Sequence, residues 1–427
     1  MQEIKLKGLD ETIYYEKLVN GLRVYIWRTT TKKTFKGTLT YNVGSEDVSF
    51  KVDNKNYHVP YGTAHFLEHI LCKKDDGTSL LTDFNRLGCY SNAATYGYKT
   101  VYEFMGSDNF YEALELLLNN IEKKNFVLEH FLSEKGPIKE EARRGLDSAP
   151  RLISEEINKG LFSTYPNRMP GVGTLDDISN IKLSDLELLY KSFYHPENCL
   201  LIITGNINPD STIEFVKNHE SCITFTKYKN PKKTNYKEPK KVVKKEAVIK
   251  INVETPKVYV SLKTPLTPLK NYDIMEMLDA VNIVLNVNFG ATSLLREDLI
   301  NKKLVTTIGA YAYIERDYLI IQVVSKTKYP SKVLPILKDK LLNLEIIASD
   351  IKRKKNSEIA NLVLGYEDVE SVNDYLSYTL SKFNKIWDNE KEIIENMTIE
   401  KIKEIISKVS FEEISTLIVE PKKTEDK

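Results

Sequence analysis

Hydrophobic positions along this chain repeat with two periods, and the switches between them mark out its elements. Apolar and β-branched residues dominate residues 22–27 and 38–43, which predicts two strands. Residues 65–71 and 80–87 follow helical spacing instead. Residues 110–121 are the plainest amphipathic helix, with Leu114, Leu117, Leu118 and Ile121 on one stripe. Leu200, Leu201, Ile202 and Ile203 run unbroken before Thr204, as in a strand buried on both faces. In the second half, residues 257–262 predict a strand, 274–287 and 294–299 two helices, and 306–313 with 318–324 a strand pair. That order echoes the first half, a faint internal duplication.

Between the halves lies a stretch dense in Lys, Pro and Asn, including Pro231 and Pro239, which predicts a solvated linker. A chain of 427 residues is too long for one ordinary core. We therefore expect a first αβ domain over 1–226, a linker over 227–247 and a second domain over 248–427. The 41% hydrophobic content is enough for two cores. Lys plus Arg, at 61, cancels Asp plus Glu, at 60, leaving no global field for nucleic acid or an anionic membrane. A neutral or mixed-charge peptide is the expected partner.

Met1 to Asn20 alternates charged and apolar residues without the apolar core of a secretory signal. No apolar run reaches the roughly eighteen residues that span a bilayer. Cys72, Cys89, Cys199 and Cys222 are scattered without C-x-x-C spacing, as reduced thiols are. These features together predict a cytoplasmic protein.

The chemistry concentrates in His65-Phe66-Leu67-Glu68-His69, an H-x-x-E-H pattern. On a helix the two histidines lie one turn apart, about 6 Å from each other, which suits two imidazoles closing on one metal. Glu68 then stands beside that metal, free to take a proton. Pro60, Gly62 and Thr63 precede the run as helix-start signals. The chain has 6 histidines, and chance would produce the full pattern on the order of 0.01 times in such a chain. A catalytic zinc needs a third protein ligand, and Glu134, Glu140 and Glu141 are the nearby candidates in a helical stretch. Pro137 lies between them and either kinks that helix or begins a new one. Cys72, three positions after His69, is a weaker ligand candidate.

The arrangement resembles the pitrilysin, insulin-degrading-enzyme and mitochondrial-processing-peptidase family. Its members pair H-x-x-E-H with a distal Glu in a pattern like (I/V)-x-E-E-(I/A), preceded two helical turns earlier by a supporting Glu. Ile138-Lys139-Glu140-Glu141-Ala142 fits the first element and Glu134 the second. The resemblance therefore implies Glu141 as third ligand, Glu134 as the carboxylate orienting the site, and Glu140 as a solvated helix charge. Tyr90-Ser91-Asn92-Ala93-Ala94-Thr95 resembles the family's N-A-x-T edge strand, which makes Asn92 and Ala93 substrate-strand candidates. Gly173-Thr174, Tyr194 to Asn198 and Gly205-Asn206 resemble further fold landmarks.

By that resemblance the fold is α+β: two related αβ domains, each a mostly antiparallel sheet packed with helices, forming one half of a clamshell. The implied cofactor is one Zn2+ per chain, and the implied activity is that of a zinc metalloendopeptidase acting on short or unfolded peptides in a closed chamber. One departure matters. Family members carry an Arg and a Tyr in the second half, in a pattern like L-R-x-x-x-x-L-x-Y, and these hold the substrate carbonyl. Here residues 299–306 align with that stretch one residue short, which puts Ile300 and Thr306 at those places, and Arg296 lies one helical turn earlier. The expected remedy is a homologous, non-catalytic partner subunit that supplies the Arg and Tyr, with precursor or leader-peptide processing as one role. The competing expectation is a non-catalytic peptide-binding or assembly subunit.

Overall fold

Apolar runs of strand length gather into two main sheets, and the amphipathic helices between them cover the sheets. The computed structural model describes residues 1–422. Residues 423–427, at the end of the expected second domain, lie outside the described residues.

The first half opens with β1 (Gln2–Leu6), β2 (Glu11–Lys17), β3 (Arg23–Arg28), β4 (Phe35–Tyr41), β5 (Ser49–Val52) and β6 (Lys55–His58). Helices α1 (Thr63–Leu71) and α2 (Leu80–Arg86) follow, then the hairpin β7 (Tyr90–Thr95) and β8 (Thr100–Gly106). Next come α3 (Phe110–Glu122), α4 (Leu128–Gly145), α5 (Ala149–Leu161), α6 (Leu175–Asn180) and α7 (Leu183–Phe193). The half closes with β9 (Cys199–Gly205), α8 (Pro209–Ser221) and the short β10 (Lys232–Lys233). The second half holds β11 (Glu246–Ile251), β12 (Lys257–Pro265), α9 (Ile274–Phe289), α10 (Leu294–Asn301), β13 (Thr307–Glu315) and β14 (Tyr318–Lys326). It ends with α11 (Pro330–Leu342), α12 (Ala348–Gly365), α13 (Val369–Phe383), α14 (Glu390–Asn396), α15 (Ile399–Lys408) and β15 (Ile414–Pro421).

Among the described residues the first sheet runs β1-β2-β3-β9-β4-β8-β7 and the second β11-β15-β12-β14-β13. The mixed α+β class expected from the sequence is the class observed. The faint duplication is also real in the topology. Strands β3-β9-β4-β8-β7 repeat as β11-β15-β12-β14-β13, each series with one parallel pair, β3 with β9 and β11 with β15, and antiparallel pairs thereafter. α1 and α2 precede the β7–β8 hairpin as α9 and α10 precede the β13–β14 hairpin.

Two compact units result, and they interleave in sequence. One comprises residues 1–144, 169–235 and 363–388, the other 145–168, 236–362 and 389–427. In the first unit, α13 from late in the chain packs Val372, Leu376 and Leu380 against Trp27, Leu200 and Ile202. Its buried Asn373 accepts from Thr38 Oγ1 at 2.5 Å and donates to Thr204 Oγ1 at 3.2 Å. In the second unit, α5 from the first half packs Ile153, Ile157 and Leu161 against Ile320, Leu417 and Val419. Each repeat has given up the corresponding helix to the other sheet.

The structure adds detail to two sequence expectations. The Lys- and Pro-rich segment is anchored, not loosely solvated: Lys232 and Lys233 pair with β5, and Glu238 meets Lys263 at 2.8 Å with both side chains at 0% exposure. Residues 274–301, where no membrane-length run was read, are apolar enough in one window to pass that test, with mean hydropathy 1.3. That window is 61% buried within the protein, and α9 ends at Phe289, so these residues serve as a core helix.

Candidate metal centre

The helix carrying H-x-x-E-H starts at a glycine for a steric reason. Gly62 caps α1 at φ 85°, and a Cβ there would meet the Val172 carbonyl oxygen at 2.2 Å. From that fixed start, Phe66, Leu67, Ile70 and Leu71 point into the core. Phe66 stacks on Phe131 of α4, ring centroids 4.9 Å apart and planes 16° from parallel. This contact docks α4 beside α1 and leaves His65 and His69 on the opposite face, their ring centroids 4.7 Å apart.

α4 runs unbroken from Leu128 to Gly145 with Pro137 inside it. Pro137 is exposed, so the carbonyl it leaves unpaired faces water and the helix continues. Glu134 and Glu141 therefore share one helix, and Ile138 between them is fully buried. Glu141 places its carboxylate between the histidines: Oε1 lies 3.4 Å from His65 Nε2 and Oε2 lies 3.4 Å from His69 Nε2. The donor atoms of His65, His69 and Glu141 all fall within 4.8 Å of one another.

Glu134 stands behind this group. Its Oε1 lies 3.1 Å from His69 Nδ1, and its Oε2 lies 2.5 Å from Lys73 Nζ. The bond to Glu134 fixes the proton on Nδ1 and leaves Nε2 directed at the shared centre. Burial opposes a charge on His69, but hydrogen bonds to Glu134 and Glu141, with the nearby Glu68 charge, outweigh it and hold the imidazole up at about 9. Hydrogen bonds from His65 and His69 hold the Glu141 carboxyl far below the usual carboxylate range. For Glu134, burial pushes the carboxyl up and the bonds from His69 and Lys73 prevail, leaving it lowered. Three donors of this kind, aimed inward and held by one another, fit a zinc ion. Two donors each about 2.1 Å from a common tetrahedral centre sit about 3.4 Å apart, the spacing found on both Glu141 contacts.

Glu68 is 7% exposed and accepts a hydrogen bond from Thr95 Oγ1 at 2.7 Å. Thr95 ends β7, the edge strand of the first sheet, which pairs with β8 on one side. Asn92 and Ala93 lie on that same strand, opposite Glu103 and Tyr102 of β8. Thr95 and Lys73 were missed as site residues in the sequence. Lys73 lies one turn beyond His69 on the same face, a signal that was available. Glu140 is exposed and pairs with Arg143. Burial pushes the Cys72 thiol up, and Cys72 is absent from the donor group.

Residues 35–170, which hold the whole donor group, match the family described as insulinase, peptidase family M16, and residues 180–358 match the peptidase M16 inactive domain. The chain belongs to the M16, or pitrilysin, family. Among its M16 relatives, the uncharacterized zinc protease YmfH of Bacillus subtilis is 29% identical, covering 99% of this chain and 100% of that one. Zinc protease PqqE of Helicobacter pylori is 26% identical over 78% of this chain and 74% of its own. An M16-like peptidase from Alicyclobacillus acidocaldarius superposes with TM-score 0.90 at 19% identity, covering 98% of this chain and 100% of that chain, and so shares the fold. The positions at which the resemblance expects an Arg and a Tyr hold other groups here. Ile300 ends near the last turn of α10, Thr306 Oγ1 donates to the Lys326 carbonyl at 3.2 Å, and Arg296 Nη1 donates to the Ile308 carbonyl at 3.2 Å.

Proposed function

We propose that this chain is a zinc-dependent endopeptidase for short or unfolded peptides. The observation that carries the reading is the His65, His69 and Glu141 donor group with Glu68 beside it. His65, His69 and Glu141 would hold one zinc, and Glu134 would keep His69 in its ligating tautomer. When bound, zinc supplies Lewis acidity, polarising the scissile carbonyl and making water acidic near neutral pH. Glu68 takes the proton of the attacking water and returns it to the departing amine nitrogen. Thr95 restrains the Glu68 carboxylate through one oxygen, leaving the other for that proton. An extended peptide adds to the open edge of β7 by main-chain pairing along Asn92 and Ala93, which supports loose sequence selectivity.

Replacing Glu68 with Gln removes the base while preserving the donors. The E68Q chain should bind one zinc at this centre and lose at least 100-fold in peptide hydrolysis. Undiminished cleavage of a fluorogenic peptide by E68Q would reject the assignment. Zinc-free wild-type protein would instead favour a peptide-binding subunit without turnover.

Ile300 and Thr306 lack the donors that hold the substrate carbonyl, which supports a heterodimer with a homologous subunit that carries the Arg and Tyr and lacks the zinc motif. Mass spectrometry of tagged chain isolated from its own cells should find such a homologue in equal amount. Full activity from the isolated chain alone would exclude that requirement. Processing of a precursor or leader peptide and a cytoplasmic site of action complete this reading.

A further inference from the structure

A second group of metal-type donors lies in the same unit on different helices. Glu122 is the last residue of α3, and His219 and Glu220 sit in the last turn of α8. One donor atom from each falls within 4.8 Å of the others, as in the first centre. His219 Nε2 and Glu122 Oε2 are 3.4 Å apart, with side-chain exposures of 8% and 1%. Yet among the described residues neither oxygen of Glu122, nor His219 Nε2, nor Glu220 Oε1 has a hydrogen-bond partner. Glu220 Oε2 is held by Asn20 Nδ2, which leaves Oε1 turned to the group.

A buried carboxylate oxygen that no donor reaches carries a desolvation cost, and native chains keep such groups only where something else satisfies them. The electrostatics here point to a cation. Two carboxylates gather where two helices end, and each helix C-terminus adds partial negative charge. Lys123 acts favourably on Glu122, but its side chain is exposed. One imidazole and two carboxylates suit a borderline divalent transition metal, and the 3.4 Å spacing again matches two donors about 2.1 Å from one centre.

We infer that Glu122, His219 and Glu220 form a second, structural divalent-metal site of zinc type that ties the end of α3 to the end of α8. Burial of all three side chains bars a substrate from reaching it, so its role is to hold the helices. The competing way to quiet the group is a proton shared between the carboxyls. Burial pushes Glu122 up to about 7, against the Glu220 hydrogen bond and the Lys123 charge, and burial with the Glu122 charge pushes Glu220 up to about 8. In that case no metal binds there.

Zinc counted by elemental analysis on zinc-loaded, desalted protein decides between them. The full chain should hold two equivalents. A folded His65→Ala/His69→Ala chain should keep one, and adding His219→Gln should remove it. In the His65→Ala/His69→Ala chain, zinc should raise the melting temperature, and His219→Gln should abolish that rise. A folded His65→Ala/His69→Ala chain with no zinc overturns the site. Should that chain not fold, the single His219→Gln variant decides: two equivalents in wild type and one in the variant sustain the site, and equal counts in both overturn it.

Discussion

At the scale of single residues, His69 governs how the first centre answers to pH. With its proton retained up to about 9, the metal-free imidazole must lose a proton before Nε2 can bind a cation. Zinc affinity should therefore climb about tenfold per pH unit from neutrality to about 9 and then level off. A chromophoric chelator in competition measures it, and a flat profile would refute the assignment. Glu134→Gln should move the break to lower pH by removing one of the bonds that hold the proton. The same raised value acts oppositely on the metal-free fold. Its stabilising contribution is complete below about 6.5, the unfolded value, and is lost as pH rises through about 9. His65, Glu68 and His69 were legible because they fall in one five-residue motif. Thr95 was not, since a hydroxyl that reaches a carboxylate across a sheet edge leaves no mark in local spacing. Neither did Glu122, His219 and Glu220, which meet only through packing of two helices distant in sequence.

At the scale of elements, α1 and α4 are the centre's frame, and their meeting depends on a short list of contacts. Gly62 sets where α1 begins, so Gly62→Ala should cost more than about 2 kcal/mol, from left-handed backbone strain plus collision with the Val172 carbonyl. Denaturant unfolding measures the loss, and a change within about 0.5 kcal/mol would mean that the turn can relax. The elements that the helical and strand periods named fall within a few residues of those observed, and the patterns at 110–121 and 274–287 were plainest because they are long and strongly one-sided. Pro137 was ambiguous for a physical reason. A proline in a helix is tolerated when its side faces water, and exposure is a tertiary fact that spacing does not carry.

At the scale of the whole molecule, the strand order repeats between the two sheets while one helix of each repeat has changed places. Neither α5 nor α13 was named from the sequence, and nothing local names the sheet a helix will cover. The apolar stripe of α13 meets the first sheet at Trp27, Leu200 and Ile202. Replacing Leu376 and Leu380 of α13 with Asp should thus strip the first sheet of its cover, exposing Trp27, Leu200 and Ile202. Such a chain should bind a hydrophobic dye and melt without cooperativity, although it retains every residue of the H-x-x-E-H centre. A variant that melts as cooperatively as wild type would contradict the packing role of α13.

That trade of helices sets a timetable for biosynthesis. A ribosome releases His65, His69 and Glu141 early, but the sheet beneath them waits for α13, encoded well after them. Until then the nascent chain carries an open greasy face, so the first unit matures only once α13 has been made.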